Sequence, residues 1–489
     1  MPARTAHAAR DGRPGAIVAA LAAGAFAYSV LQTIVAPALP ELAQRLGTTT
    51  SDASWILTAL LLSASVLTPL IGRLGDLYGQ RRLLVAALAV MTVGTLVSAL
   101  ATSLGVMIAG RVLQGAGAGL FPLAYGLIRR ELPPHRVPHA IGLLSAMLGI
   151  GGVAGIVGAG VILAALSFHW LFWAPLAASV AATFAVWRWV PEPAERRVAP
   201  RGRVNWAGAA LLAAGLVITL LGITQARTWG WGSALNVGCI AGGVLVLMLW
   251  VALERRSRDP LVDMKVMAER GVWTTNVVTF VVGFGMLAGM VVVPALLQMP
   301  AATGYGFGFD VLHAGLCMLP SGLGMLVGGA VAAPLQERSS ARTVTLAGVT
   351  MIGVSYAMLA VAHGSAGDVL GAASVQGLGI GLAFAALGRM IVEAAPHAQV
   401  GAATGINTIM RTVGGAFGSS VSISLLAAHL VPGTPLPENG GFSLVFWVAA
   451  GVCLAGLLIG LLLPRERPVV VVAAVEDPAG RGIRLGQAA

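Results

Sequence analysis

Long apolar stretches, separated by short polar or turn segments, fill the chain from residue 15 to residue 463. Each is roughly as long as the 20 residues that an α-helix needs to cross a bilayer core about 30 Å thick. Backbone groups in lipid must satisfy their own hydrogen bonds, and these runs are too long for barrel strands, so the pattern predicts spanning helices. Fourteen are predicted, near 15–37, 54–73, 83–101, 104–128, 139–166, 169–190, 206–225, 234–253, 272–298, 311–335, 343–362, 368–391, 399–430 and 441–463.

The composition agrees with an all-α polytopic membrane protein. Apolar residues make up 57% of the chain and charged residues 10%, whereas soluble proteins average about 45–50% and 25%. The formal charge is +11, but the basic residues are spread over short loops instead of one face, which argues against nucleic-acid binding. We therefore expect the lipid bilayer, and no nucleic acid, as a partner.

Basic residues are distributed unevenly between the two sets of loops. Many lie in even-numbered connections: Arg129, Arg130, Arg136, Arg196, Arg197, Arg201, Arg203, Arg255, Arg256 and Arg258. Cytoplasmic loops carry the excess of Lys and Arg, so both termini are predicted to be cytoplasmic. The first apolar run is longer than the apolar part of a signal peptide, so we expect it to remain as a helix of an inner (plasma) membrane protein.

The chain contains an internal repeat. The pattern QGxGxG at 114–119 recurs at 376–381, and ExxPH at 131–135 recurs at 393–397. Helices one to six and nine to fourteen are therefore predicted to be two copies of one unit, with helices seven and eight inserted between them. Two parallel halves that face a site at the membrane midplane suit an alternating-access carrier.

This 6+2+6 arrangement predicts five regions. They are a cytoplasmic tail at 1–14, a six-helix bundle at 15–190, linkers with two inserted helices at 191–271, a second six-helix bundle at 272–463 and a cytoplasmic tail at 464–489.

The loop between helices two and three reads GRLGDLYGQRR at 72–82. Its glycines permit a tight turn and close helix contact, its acid can meet an Arg or a helix N-terminus, and its arginines hold it at the cytoplasmic face. We interpret it as a conformational latch formed by Gly72, Arg73, Gly75, Asp76, Gly79, Arg81 and Arg82. The equivalent stretch at 334–342 has lost the glycines, so the latch should lie mainly in the first half.

This loop resembles the signature loop of the major facilitator superfamily. The stretches at 32–40, 52–58 and 169–173 resemble the 14-helix drug:proton antiporter branch. The resemblance covers most of the first half. It implies the major facilitator fold and proton-driven efflux of drugs or antibiotics, without a cofactor; we expect a monomer to be the functional unit.

Two arginines and five amides fall inside the predicted helices. Arg111, three residues before Gln114, resembles an intramembrane motif of the family, and a buried arginine costs several kcal/mol unless it faces a polar cavity or partner. Substrate-cavity candidates are Gln32, Arg111, Gln114, Asn276, Gln376, Asn407 and Arg411. For each arginine the alternative is snorkelling to the interface, and for each amide it is an interhelical hydrogen bond.

Helix five contains glycines at positions that resemble the antiporter motif of the superfamily, namely Gly151, Gly155 and Gly160. The usual proline of that motif is replaced by Ile156. Simple close packing of helices explains the glycines equally well.

A second departure concerns the acid that many of these antiporters carry in helix one, where this chain has Leu31. Neutral or anionic lipophilic molecules are therefore expected to be better substrates than cations. Proton coupling would need another group, and Asp310 with His313, one turn apart, form the best pair by spacing. The alternative for Asp310 is a helix N-cap.

The sequence is compatible to different degrees with an exporter, an uptake carrier and a membrane enzyme. Secondary export is preferred over an uptake carrier for a small organic anion or metabolite because of the family resemblance. A membrane enzyme would need a cluster of acid, base or metal ligands, and none occurs at a credible spacing. The cysteines, Cys239, Cys317 and Cys453, stand singly in apolar runs, which argues against a zinc site.

Overall fold

The computed structural model describes residues 14–167, 169–191, 205–396, 399–434 and 436–464. Nearly all of the two predicted tails lies outside these residues. The same holds for most of the predicted linker before the seventh helix, with Arg196, Arg197, Arg201 and Arg203, and for His397 of the repeat.

Within the described residues, fourteen helices are long and apolar enough to cross a membrane, which confirms the predicted number. Numbered α1 to α14 in chain order, they are Pro14–Thr33, Trp55–Tyr78, Gln80–Ala99, Leu104–Glu131, Pro134–Ala165, Trp170–Trp189, Trp206–Trp229, Ala234–Glu254, Arg270–Gln298, Val311–Arg338, Ala341–Val361, Ala366–Ala394, Val400–Ala428 and Asn439–Gly460. Short helices occupy Leu39–Arg45, Thr50–Ala53 and Met264–Ala268.

Some predicted helix ends shift for identifiable reasons. The apolar pattern extends the first helix to residue 37, but α1 ends at Thr33. Pro37 has no N–H to donate to the carbonyl of Thr33, so the helix cannot continue. Helix α4 tightens into a 3-10 turn at Gly115–Gly119. A side chain at Gly115 would collide with Ser63 of α2, so glycine allows these two helices to approach closely.

The two sets of six helices repeat the same packing. In the first set, α1 packs on α5 and α6, α2 on α4, and α3 on α4 and α6. In the second set, α9 packs on α13 and α14, α10 on α12, and α11 on α12 and α14. The contacts thus recur with an offset of eight helices, as expected of a duplicated unit.

The two halves meet through α2 with α13 and through α5 with α10. The inserted α7 lies beside α2 and α13, and α8 packs on α7. The outer surface of α8 exposes large apolar side chains such as Leu245, Met248 and Leu249. Such a surface suits lipid contact, because acyl chains are as apolar as leucine.

Candidate functional site

Asp76, near the end of α2, joins the two halves at the end of the molecule that carries the α2–α3 turn. Its carboxylate accepts hydrogen bonds from the backbone N–H groups of Gly401 (3.3 Å) and Ala402 (3.2 Å), in the first turn of α13. Gln80 donates a further hydrogen bond of 3.2 Å from its side chain. A helix N-terminus offers unpaired N–H groups and a partial positive charge, so it suits a carboxylate. We call the contact of Asp76 with Gly401 and Ala402 the latch.

Glycines make the latch possible. Gly72 and Gly401 lie against each other, and a Cβ on Gly401 would be only 2.7 Å from Oδ1 of Asp76. Gly79, between α2 and α3, has a φ of 105°, a conformation that L side chains rarely adopt. Gly75 packs on Leu123 of α4. The spaced glycines of the loop therefore serve helix contact and the turn.

Arginines beside the latch bind backbone carbonyls at the same end of the molecule. Arg129 of α4 donates to the carbonyl oxygens of Val392 and Ala395 (3.1 Å for Ala395), at the end of α12, and so joins the two halves. Arg81 donates to the carbonyl oxygen of Trp187 in α6, at 2.7 Å. From the sequence, Arg129 is predicted only as a loop charge, because a contact with a distant carbonyl has no sequence signal.

On the far side of the latch, a cavity of about 600 Å³ lies between the halves. Its walls come from α1, α2, α4 and α5 of the first half, from α9, α10, α12 and α13 of the second half, and from α7. Ala36, Leu39 and Ser54 reach it from the segment that connects α1 and α2. The cavity therefore extends from the middle of the molecule toward the end opposite the latch.

The cavity wall is mainly apolar. Met286, Met290, Met318 and Met325 contribute side chains from α9 and α10, and methionine adapts to ligands of varied shape. Among the described residues that line the cavity, Arg411 is charged and no Asp or Glu occurs. The wall thus combines a polarizable apolar surface with one positive charge.

Aromatic rings hold Arg411 in place. Its guanidinium carbon lies 5.0 Å from the ring centroid of Phe121 and 5.6 Å from that of Phe384. Both distances fit cation–π contacts, which stabilise a positive charge away from bulk water. Phe121 belongs to the first half and Phe384 to the second, so this cation lies at the junction of the halves.

The sequence profile of the Major Facilitator Superfamily matches residues 21–296 and 275–485. The chain belongs to the major facilitator superfamily. The cephamycin export protein of Amycolatopsis lactamdurans is 30% identical over 442 residues, which cover 88% of each chain. The tetracenomycin C resistance and export protein of Streptomyces glaucescens is 27% identical over 483 residues, covering 98% of this chain and 84% of that protein.

Solved structures of transporters have the same fold. A human organic anion transporter superposes with a TM-score of 0.64 at 15% identity, covering 92% of this chain and 99% of that one. The chain is thus a multi-pass membrane transporter of the superfamily, a class that does not contain enzymes.

Three of the seven predicted cavity residues lie on the wall of this transporter, namely Gln32, Gln376 and Arg411. The other four are placed elsewhere. Asn407 donates hydrogen bonds to the side chains of Asn276 (3.0 Å) and Thr279 (2.8 Å), which link α13 to α9. These amides therefore form an interhelical hydrogen bond, the alternative that their sequence positions left open.

Arg111 and Gln114 lie inside the first six-helix set. Arg111 is fully buried and its Nη1 donates to the carbonyl oxygen of Leu31 and to the side chain of Gln114, both at 2.9 Å. Gln114 in turn donates to the hydroxyl of Ser98 at 3.1 Å. The buried arginine thus finds polar partners in α1 and α4 instead of facing the cavity, and it does not snorkel.

Asp310 and His313 lie at the start of α10, outside the cavity wall. The carboxylate of Asp310 accepts a 2.7 Å hydrogen bond from the backbone N–H of His313 and lies 2.7 Å from its Nδ1. These hydrogen bonds hold the pKa of Asp310 below its usual value. Both side chains are about two-thirds exposed, and the geometry of Asp310 is that of an N-cap. Whether the pair couples protons stays a prediction.

The glycines of α5 pack against neighbouring helices. Gly151 contacts Ser29 and Gly155 contacts Thr33, both in α1, while Gly160 contacts Leu312 in α10. Each would collide with these neighbours if it carried a side chain. Close packing thus accounts for their positions in this structure.

Polar residues of α7 that lie on the cavity wall are not among the residues predicted from the sequence. Thr224, Gln225 and Thr228 line the cavity, although helices seven and eight were interpreted only as an inserted connection. The feature of the sequence that could have indicated these residues is an amide with flanking threonines near the end of an apolar run.

Proposed function

We propose that this transporter exports small lipophilic molecules, neutral or anionic, by alternating access driven by the proton gradient. The charge of the cavity supports this substrate class most directly. Arg411 is the charged residue on the described wall, and no carboxylate there would attract a cation. The methionine-rich surface suits lipophilic ligands of varied shape.

The two ends of the structure suggest how access alternates. The latch and Arg129 hold the halves together at one end, while the cavity extends toward the other. Export would require these contacts to break and the halves to close at the α1–α2 end. With both termini in the cytoplasm, as the basic loops predict, the present arrangement corresponds to the outward-facing state.

Export is preferred over uptake because two relatives that cover most of this chain are named as export proteins. An uptake carrier for a small organic anion would use Arg411 equally well. Direction and the proton requirement are therefore the points that an experiment must decide.

A pump-deficient bacterium expressing the chain would be compared with the empty strain for accumulation of fluorescein (anionic), chloramphenicol (neutral) and ethidium (cationic). We expect lower intracellular fluorescein and chloramphenicol, and a return to control levels when a protonophore collapses the gradient. Ethidium should be little affected. Higher fluorescein in the expressing cells would indicate uptake, and export of ethidium alone would refute the proposed substrate class.

A further inference from the structure

Helix α7 lies along the seam between α2 and α13. Near the latch end, Leu212 and Leu216 of α7 share an apolar cluster with Ala402 and Ile409 of α13, against which Leu70 of α2 packs. The inserted helix therefore contacts both halves there.

Helix α7 also contacts both halves beside the cavity. Leu220 and Ile223 of α7 form a cluster with Ala416 of α13, and Leu61 and Leu62 of α2 pack against it. Helix α7 thus follows the seam along most of its length.

The two flanks of the cavity are closed differently. On the α5–α10 flank, the helices touch directly, since Gly160 contacts Leu312 and Gly315 lies against Val157. On the α2–α13 flank, the two helices touch near the latch, where Gly72 lies against Gly401, and beside the cavity α7 packs on both helices and contributes its own side chains to the wall. Helix α7 is therefore part of the cavity wall on this flank.

The cavity side of α7 is polar. Gln225 is only 8% exposed, and the hydroxyl of Thr228 is shared between its amide oxygen (3.2 Å) and its backbone carbonyl oxygen (3.0 Å). An amide offers both donors and acceptors without a charge. Gln225 therefore complements the carbonyl, hydroxyl or amide groups of a ligand, whereas Arg411 complements an acid.

Two side-chain hydrogen bonds connect the inserted segment to α13 and to the residue directly before it. The indole Nε1 of Trp231, just after α7, donates a 2.7 Å hydrogen bond to the hydroxyl of Ser424. In the linker between α8 and α9, the side chain of Asp263 accepts a 3.4 Å hydrogen bond from Gln399, directly before α13. The inserted segment is thus hydrogen-bonded to the second half.

We infer that α7 is a wall of the substrate site and that Gln225, oriented by Thr228, selects ligands carrying neutral polar groups. The inference rests on the proposed function in taking the cavity as the substrate site. It assigns a role in specificity to a helix that the sequence repeat leaves out.

The first test asks whether α7 faces the cavity, whatever the transporter carries. Single cysteines would replace Thr224 in α7, Thr412 in the α13 wall and Ala241 on the exposed side of α8, with Cys239, Cys317 and Cys453 changed to alanine. In lipid nanodiscs, a charged maleimide reaches both faces. We expect Thr224→Cys to label at a rate comparable to Thr412→Cys, and Ala241→Cys to stay unlabelled. Labelling of Thr412→Cys without Thr224→Cys would overturn the inference.

The second test asks whether Gln225 selects ligands. Gln225→Leu keeps a similar size but removes the hydrogen bonds, and Gln298→Leu makes the same change at an exposed position outside the cavity wall. We expect Gln225→Leu to reduce efflux of chloramphenicol, which carries an amide and hydroxyls, by about threefold to tenfold. Efflux of N-phenyl-1-naphthylamine, a neutral dye with one amine, should change far less, and Gln298→Leu should alter neither.

Equal loss of both probes in Gln225→Leu would show a structural role and contradict the assignment. If the unmodified chain exports neither probe, the proposed function fails for neutral molecules. The maleimide result then still decides whether α7 forms a wall of the cavity.

Discussion

Arg111 of α4 donates a 2.9 Å hydrogen bond to the backbone carbonyl oxygen of Leu31 in α1. Leu31 occupies the position at which the family resemblance implies an acid in many antiporters. The cation therefore meets a carbonyl dipole and the side chain of Gln114. Arg111 connects two helices of one half, while the charge on the cavity wall comes from Arg411.

Replacement of Arg111 should change stability more than selectivity. Arg111→Ala leaves a void and removes the donor to Leu31 and Gln114, so we expect a loss of about 1–3 kcal/mol. The thermal midpoint of the purified protein should fall, and the ratio of anionic to neutral efflux should not change. An unchanged midpoint with an altered ratio would place Arg111 in the transport pathway instead.

Replacement of Arg411 should change selectivity. Arg411→Leu removes the positive charge between Phe121 and Phe384, so fluorescein efflux should fall about tenfold or more. Chloramphenicol efflux should largely remain. Arg389→Leu is the matched control, because Arg389 pairs with Glu393 at 2.6 Å and does not line the cavity. A similar loss in both variants would count against an anion-binding role of Arg411.

Weakening the latch should shift the conformational equilibrium. Asp76→Asn keeps an acceptor for Ala402 but loses the charge that favours the helix N-terminus, at a cost of about 1 kcal/mol. The state that is open at the latch end should gain roughly fivefold in population. Spin-label distances between His135→Cys and Glu337→Cys, two exposed positions at this end, would measure the change. Asp52→Asn, at the opposite end, should leave the distance distribution unaltered.

Gly401 should not tolerate a side chain. In Gly401→Ala the added Cβ would lie 2.7 Å from Oδ1 and 2.8 Å from Oδ2 of Asp76, so α2 and α13 must separate. We expect loss of transport and a longer latch-end distance in the same spin-label pair. Gly238→Ala on α8 is the control, since a Cβ there meets nothing within 4 Å. Full activity of Gly401→Ala would mean that the close contact is dispensable.

The pair at the start of α10 provides the test of proton coupling. Because hydrogen bonds lower the pKa of Asp310, it stays ionised at neutral pH, and its stabilising effect is lost only when acid brings the pH down through that lowered pKa. If the pair couples transport, His313→Ala should abolish substrate-driven proton flux in proteoliposomes. Flux equal to the unmodified protein in both His313→Ala and Asp310→Asn would leave Asp310 with an N-cap role alone.

The sequence by itself determined the fold class, because the length and spacing of apolar runs follow directly from the thickness of a bilayer. The fourteen helices were readable in this way, and the repeat was readable from the recurrence of QGxGxG and ExxPH. The glycines and Asp76 of the loop also predicted a close helix contact. A loop that only carries positive charge would not need small residues around an acid. The apolar pattern did not fix every helix end: the first helix ends at Thr33, because Pro37 stops a run that remains apolar.

Only the tertiary structure decided which polar residues face the cavity. A polar residue inside a helix must find a partner, but the pattern does not say whether the partner is a neighbouring helix or a ligand. Rotation and packing placed Arg111 against Leu31, joined Asn276 to Asn407, and turned Arg411 and Gln225 toward the cavity. The partner of Asp76 is more than 300 positions away in sequence, so that contact exists only once the two halves are packed together.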